Sequence, residues 1–278
     1  MVVRIVADST CNLSDEDVAR YGIQIVPLVI HFGTNTFLEG VTIDRDLFYH
    51  KIEVEEIMPT TSQPAPGQFA DAYRPLVSDP ILCLTITSKH SGTYQSAMLA
   101  ADMVPGADVV VFDTLSITMG TGFMVLEAAQ MAEAGHSREE ILARLEQIRA
   151  RMHVVFTPDT LKYLQMSGRV GKLSGVLGSM LNLRPIIVIE DGLLEAKEKV
   201  RTRGRSLDRL VELMAEQVGT AAPARLAVIH ARTPQEAQHL AARLSDTFQC
   251  DEVRLVDLVP ALAVHGGPGI IGIIGYRL

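Results

Sequence analysis

The sequence has no tryptophan, only three cysteines and no excess of basic residues, and each shortfall closes off a class of function. Cys11, Cys83 and Cys250 are odd in number, far apart and without any CxxC spacing. Neither a disulfide framework nor a thiolate zinc site is indicated, and reduced thiols are expected. None of the eight histidines lies in an HExxH or comparable spacing, so no metal cofactor is expected. Lys and Arg number 25 against 33 Asp and Glu, giving a net charge of −8, which removes the overall basic footprint of a nucleic-acid binder. No apolar run approaches the roughly 18 residues of a spanning helix. The opening MVVRIVADST meets an acid at Asp8 before a signal-peptide core could form, so the chain reads as cytoplasmic, without stable membrane insertion.

What remains is an apolar chain of 278 residues, 47% of them hydrophobic, with a mean hydropathy of +0.21. That length and composition suggest about two domains with substantial cores. VVRIVADS (2–9) reads as a buried strand, SDEDVARYG (14–22) as a short helix capped by Ser14 and stopped by Gly22, and IQIVPLVIHF (23–32) as a strand interrupted at Pro27. GTNTFLEG (33–40) reads as a turn or hairpin, DRDLFYHKI (44–52) as a helix, and PTTSQPAPGQ (59–68) as an ordered loop. ILCLTIT (81–87), SGTYQSAMLAADM (91–103) and ADVVVFD (107–113) form a strand–helix–strand unit, which implies a parallel sheet. Helices at 122–135 and 137–152, the second opened by a Ser137–Glu140 capping box, close this half.

The second half changes rhythm, with strands at HVVFT, RPIIVIEDG, LLEAKEKVR, ARLAVIHA, DEVRLVDLV and IIGIIGYRL. The Asp191–Gly192 turn makes its neighbours antiparallel. The expected fold is an α/β domain over 1–154 with a parallel sheet, followed by an α+β domain over 155–278 with a mixed, largely antiparallel sheet.

Phosphate-loop and hydrolase motifs fail on particular positions. GRVGKLS (168–174) has Met166 where the Walker spacing needs glycine and Leu173 where it needs Ser or Thr. Ser91 has neither glycine of a GxSxG elbow. It stands instead after a strand at the first turn of a helix, where unpaired N–H groups and the helix dipole favour an anion, or where it simply caps its own helix. Other hydroxyl-rich or glycine-rich loops accompany it: Asp8–Thr10, Thr60–Gln63, Asp113–Thr114 and the VHGGPG segment with His265. Residues just past the carboxyl ends of parallel strands gather in one crevice. From Arg169 to Arg205, eight basic residues (Arg169, Lys172, Arg184, Lys197, Lys199, Arg201, Arg203, Arg205) face four acids. The run is either a solvated face or an anion or acidic-partner site.

Taken in order, DST (8–10), TSQP (61–64), SGTYQSA (91–97), SGR (167–169), RP…DG (184–192), KxR (199–201) and HGGPG (265–269) resemble the DegV family over nearly the whole chain. The chain has Thr114 after Asp113 where that family usually has Ser, and Arg184 before proline where it usually has Lys. The resemblance implies a fatty-acid-binding protein, the lipid-presenting subunit of a fatty acid kinase, without its own catalysis. It places the carboxyl group at an interdomain cleft, with Thr61, Ser62, Ser91, Gly92 and His265 as ligand residues and the acyl tail in the C-terminal domain. It puts Arg169 and Arg201 near the head group or the kinase-facing surface. LSGVLGSMLN (173–182), rich in small residues, is a candidate tunnel wall. Two other classes stay open: a hydrolase or acyl transferase with Ser91 as nucleophile and His265 as base, and a regulatory module using the basic segment.

Overall fold

A computed structural model of the chain describes residues 2–55, 57–170 and 183–278; the 173–182 segment singled out above lies outside the described residues. The chain divides into two compact units, Met1–Arg149 with Val259–Ala261, and Ala150–Leu258 with Leu262–Leu278. The first unit runs β1 (Arg4–Asp8), α1 (Asp15–Tyr21), β2 (Gln24–Val26), β3 (Val29–Phe32), β4 (Asn35–Leu38), α2 (Arg45–Glu53), β5 (Thr60–Ser62), α3 (Pro66–Tyr73), β6 (Ile81–Thr85), α4 (Thr93–Asp102), β7 (Val109–Asp113) and α5 (Thr118–Glu133). Most of α6 (Arg138–Arg151) also belongs to it.

Its main sheet has the order β2-β1-β6-β7 with every pairing parallel. A parallel sheet needs helices on its faces, which is why β6 is buried along its whole length. On one face Val6, Ile81 and Cys83 pack with Phe69, Ala70 and Tyr73 of α3 and with Ala97 and Ala100 of α4. The local signals work as the sequence suggests. Ser14 accepts from Asp17 N, Gly22 ends α1 in the left-handed region, and Ser137 N donates to Glu140 Oε2 at 2.8 Å while Glu140 N donates to Ser137 Oγ at 3.3 Å.

Two expectations are corrected. At Pro27, which signals a bulge or an edge, 23–32 is not one strand: the chain on either side enters different sheets, β2 at the edge of the parallel sheet and β3 in a separate antiparallel sheet ordered β4-β3-β5. A residue without a backbone N–H cannot carry a ladder through, so the strand is cut there. The proline-rich 59–68 segment is likewise not all loop, because Thr60–Ser62 forms β5 against β3.

The second unit holds β8 (His153–Thr157), α7 (Lys162–Met166), β9 (Arg184–Glu190), β10 (Leu193–Val200), α8 (Arg203–Val218), β11 (Ala224–His230), α9 (Pro234–Thr247), β12 (Val253–Asp257) and β13 (Ile271–Arg277). The helix α10 (Pro260–Gly266) starts in the first unit and ends in the second. The sheet order is β10-β9-β8-β13-β11-β12, antiparallel throughout except between β11 and β12. Asp191 and Gly192 both have positive φ, 50° and 78°, as the two-residue hairpin turn requires. Leu210, Leu213 and Met214 of α8 and Leu240 and Leu244 of α9 pack on Val155, Ile186, Val228, Ile271 and Ile273 of the sheet.

The division falls a few residues before the 154/155 boundary expected from sequence. Arg149 stays with the first unit because its guanidinium donates to Asp113 O at 2.8 Å and lies 4.7 Å from the Phe112 ring. The return of Val259–Ala261 to the first unit has no local sequence signal.

Cys11 and Cys83 are buried, and burial pushes both thiols up to about 12, whereas Cys250 is half-exposed. Thiolate is the reactive form. A disulfide-exchange reagent at pH 8 is therefore expected to titrate Cys250 alone in the native protein and all three thiols after denaturation. Rapid native reaction that survives Cys250→Ser would contradict this packing.

Candidate functional site

In the first unit the loops past β1, β6 and β7 are shaped by side chains that bond the backbone. Asp8 is fully buried; its Oδ1 accepts from Thr10 N at 2.9 Å and from Thr10 Oγ1, and its Oδ2 accepts from Ile86 N at 2.7 Å. One carboxyl thereby ties the loop after β1 to the end of β6. Burial pushes its pKa up, against those three hydrogen bonds. Asp113 Oδ1 accepts from Ser88 N at 3.2 Å and Leu115 N at 3.1 Å, and Thr114 Oγ1 donates to Thr85 O at 2.8 Å. The Asp113–Thr114 pair, grouped from sequence with the ligand loops, thus has a structural use.

Ser91 is not the N-cap of α4; that position is Gly92, which offers no side-chain cap. Ser91 Oγ lies 2.8 Å from Thr93 Oγ1 and accepts from Thr93 N at 3.3 Å. Among the described residues Thr93 supplies its only hydrogen-bond partners. The Thr61 and Ser91 loops adjoin: a Cβ on Gly92 would stand 2.5 Å from Gln63 Nε2, so glycine there lets the two loops close together.

Thr61 and Ser62 do not act as one pair. Thr61 is registered with fully buried Ile30, and Ser62 with Val29; successive strand side chains point to opposite faces. Ser62 Oγ lies 2.8 Å from His31 Nε2, whose Nδ1 is 3.2 Å from Thr36 Oγ1. Gln63 follows the Thr61 side, toward Gly92. Thr61 therefore lies on the face of β5 that Gln63 continues, while Ser62 lies on the His31 face.

Two residues that sequence reading did not single out stand behind Ser9. Glu39 is 4% exposed; its Oε2 accepts from Ser9 Oγ, which itself accepts from Leu28 N at 3.0 Å, and its Oε1 accepts from Ala261 N at 2.5 Å. Asn12 Oδ1 accepts from Val259 N at 3.1 Å and Thr118 Oγ1 at 3.2 Å. Of these partners Val259 and Ala261 are more than 200 residues away along the chain, so no local pattern could have found them.

In the second unit His265 is half-buried in the last turn of α10, which corrects the reading of Val264–Gly269 as wholly loop. The following Gly267 has φ 74° and faces the Tyr163 ring so closely that a Cβ would lie 2.1 Å from Tyr163 Cδ2. Gly269 N donates to Ala231 O at 2.8 Å, and a Cβ on that residue would meet Asp159. Asp159 in turn accepts from Arg184 Nη1 at 2.5 Å.

The basic run resolves into paired and unpaired members. Arg184 pairs with Asp159, Lys197 with Glu190, Arg203 with Glu236 and Arg205 with Glu212. Arg169 Nη1 donates at 2.7 Å to Ser167 O, and Arg201 is exposed in the turn before α8. Among the described residues neither Arg169 nor Arg201 holds a carboxylate, and neither bonds His265.

Comparison with known proteins places this architecture. The profile of the DegV family, described as uncharacterised protein, DegV family, matches residues 2–277. A DegV domain-containing protein of Halalkalibacterium halodurans is 34% identical over 277 residues, covering 99% of this chain and 98% of the relative. The solved structure of a fatty-acid-binding DegV family protein from Thermus thermophilus superposes with a TM-score of 0.93 at 32% identity over 100% of both chains. A stearic acid-binding protein from Eubacterium ventriosum gives 0.91 at 28% identity, over 99% of this chain and 98% of that one. The chain belongs to the DegV family.

Burial pushes the Glu39 carboxyl up to about 7 from an ordinary 4.5. The folded state then holds this proton more tightly than the unfolded chain. The stability so gained is fully present below about pH 4.5 and is lost as pH rises through 7, a change of up to about 3 kcal/mol. Glu39→Gln keeps an acceptor for Ala261 N and, with its amide N–H toward Ser9 Oγ, reverses the direction of that hydrogen bond. Urea unfolding of this variant is expected to match the parent near pH 5 and to exceed it near pH 8. Parallel profiles for the two proteins would place the Glu39 proton elsewhere.

Proposed function

We propose that this protein binds one long-chain fatty acid, its carboxyl group received by the Thr61 and Ser91 loops of the first unit and its acyl tail buried in the second, and presents it to a fatty acid kinase. The observation that carries this reading is the state of Ser91. A serine nucleophile needs an adjacent base, and this hydroxyl is bonded within its own loop by Thr93. It is poised to donate to an arriving oxygen anion, beside the start of α4, whose first N–H groups lack intrahelical partners. The full-length likeness to structures described as binding fatty acid, one of them stearic acid, supports the same ligand class.

The division of labour follows from magnitudes. Each buried CH₂ contributes about 0.8 kcal/mol, so roughly 14 methylenes supply up to about 11 kcal/mol before ordering costs. Hydrogen bonds to a charged group contribute about 1.5–3 kcal/mol each. The tail sets affinity and the hydroxyls fix where the carboxyl group stands. Gly92 allows close backbone approach, His265 completes the head-group set, and Ser62 acts through the strand it shares with Thr61. Arg169 and Arg201, left without carboxylate partners among the described residues, are the cations available to a kinase surface or to an acyl phosphate.

Native mass spectrometry followed by organic extraction is expected to recover about one fatty acid per chain. An empty protein that releases product from acyl esters would instead establish the Ser91 hydrolase. Ser91→Ala and Thr61→Val are expected to retain lipid while losing most kinase-dependent phosphorylation, and Ser62→Ala to lose far less. Complete loss of lipid from Ser91→Ala would overturn the assignment of affinity to the tail. Unchanged phosphorylation in Arg201→Ala would remove that residue from the partner surface.

A further inference from the structure

The second unit contains a cavity of about 440 Å³ lined by Arg151, His153, Gln217, Val218, Arg277 and Leu278. These residues come from the end of α6, the start of β8, the last turn of α8 and the end of β13. The β8–β13 register pairs His153 with Gly275. Arg151, the last residue of α6, stands two residues before His153, and Arg277, the last residue of β13, stands two after Gly275, and both line the cavity. Like charges placed side by side destabilise each other, and an acidic chain has carboxylates to spare for them. Elsewhere in this unit Arg184, Arg203, Arg205, Arg209 and Arg243 each hold one. Arg151 and Arg277 hold none among the described residues. Two guanidiniums in this arrangement ask for a doubly charged anion from outside the chain.

From this geometry we propose a second binding site, for a small organic phosphate monoester. Two guanidinium forks match the oxygens of a phosphate dianion. A bare phosphate would fill little of the cavity, whose volume lies within the roughly 300–1,000 Å³ of small-molecule sites. Val218 and Leu278 offer apolar surface to the organic part, and the Gln217 amide offers both a donor and an acceptor. Burial lowers the His153 pKa, so its imidazole is neutral at pH 7 and adds one donor and one acceptor.

The test is isothermal titration calorimetry of the full chain at low salt with AMP, ribose 5-phosphate, inorganic phosphate and citrate. AMP or ribose 5-phosphate is expected to bind at about one per chain, with affinity falling as NaCl is raised and inorganic phosphate binding more weakly. Arg151→Ala and Arg277→Ala should each weaken that binding by about tenfold or more, while extraction recovers fatty acid as from the parent. Both side chains are surface-accessible, and circular dichroism checks each variant's fold; should Arg277→Ala not fold, Arg151→Ala decides alone. The proposal is overturned if no phosphate probe binds, if citrate binds as tightly as AMP, or if the folded variants bind like the parent. None of these outcomes depends on the fatty acid reading.

Discussion

A carboxyl group buried at the end of a parallel strand has to be satisfied by whatever backbone surrounds it, and Asp8 shows what that constraint builds. Its two oxygens take up Thr10 N, Thr10 Oγ1 and Ile86 N, so the loops after β1 and β6 cannot move independently without leaving an acceptor unbonded in the core. Losing such a bond costs more than forming it gains, because the stranded group has no water to turn to. Ser91 lies five residues beyond Ile86, whose N–H Asp8 holds. The loop that carries Ser91 is therefore anchored at its start by an acid whose two oxygens are taken up by Thr10 and Ile86.

The same logic extends to Glu39 and Asn12. Both present acceptors to Val259 and Ala261, a stretch separated from them by most of the chain. Val259–Ala261 belongs to the first unit for this reason, although its sequence neighbours belong to the second. A three-residue return of this kind is defined by two hydrogen bonds and a buried carboxyl whose proton is held to about pH 7. Acidification therefore protects the arrangement, while alkali opposes it.

The helices, the parallel strands and the Asp191–Gly192 hairpin are legible in the sequence because their signals are local: caps three residues apart, β-branched runs, a turn dipeptide with positive φ. The sheet exchange at Pro27 is legible only as an interruption, since a missing N–H ends one ladder without saying where the next begins. The face on which Thr61 and Ser62 lie could not be read from TSQP, because alternation becomes informative only once the register with Ile30 fixes the inward side. Glu39 carried no signal at all; a single acid beside a glycine in a hairpin looks like surface, and its burial follows from a contact 222 residues away.

The basic run shows most clearly how structure changes the meaning of a charge pattern. Counted along the sequence, eight cations against four acids make a patch. In space Glu190 of the run answers Lys197, and three further acids come from elsewhere, Asp159 from the segment before α7, Glu212 from α8 and Glu236 from α9. Most of the apparent excess is thereby spent on holding β9, α8 and α9 in place. Exposed pairs of this kind contribute little stability, but they remove a cation from the set available to a ligand. Among the described arginines of the run, Arg169, turned onto its own backbone, and Arg201, exposed before α8, hold no carboxylate. A guanidinium that has no internal carboxylate keeps its full capacity for an external anion, so the residues that matter for binding are found by subtracting the ion pairs from the charge count.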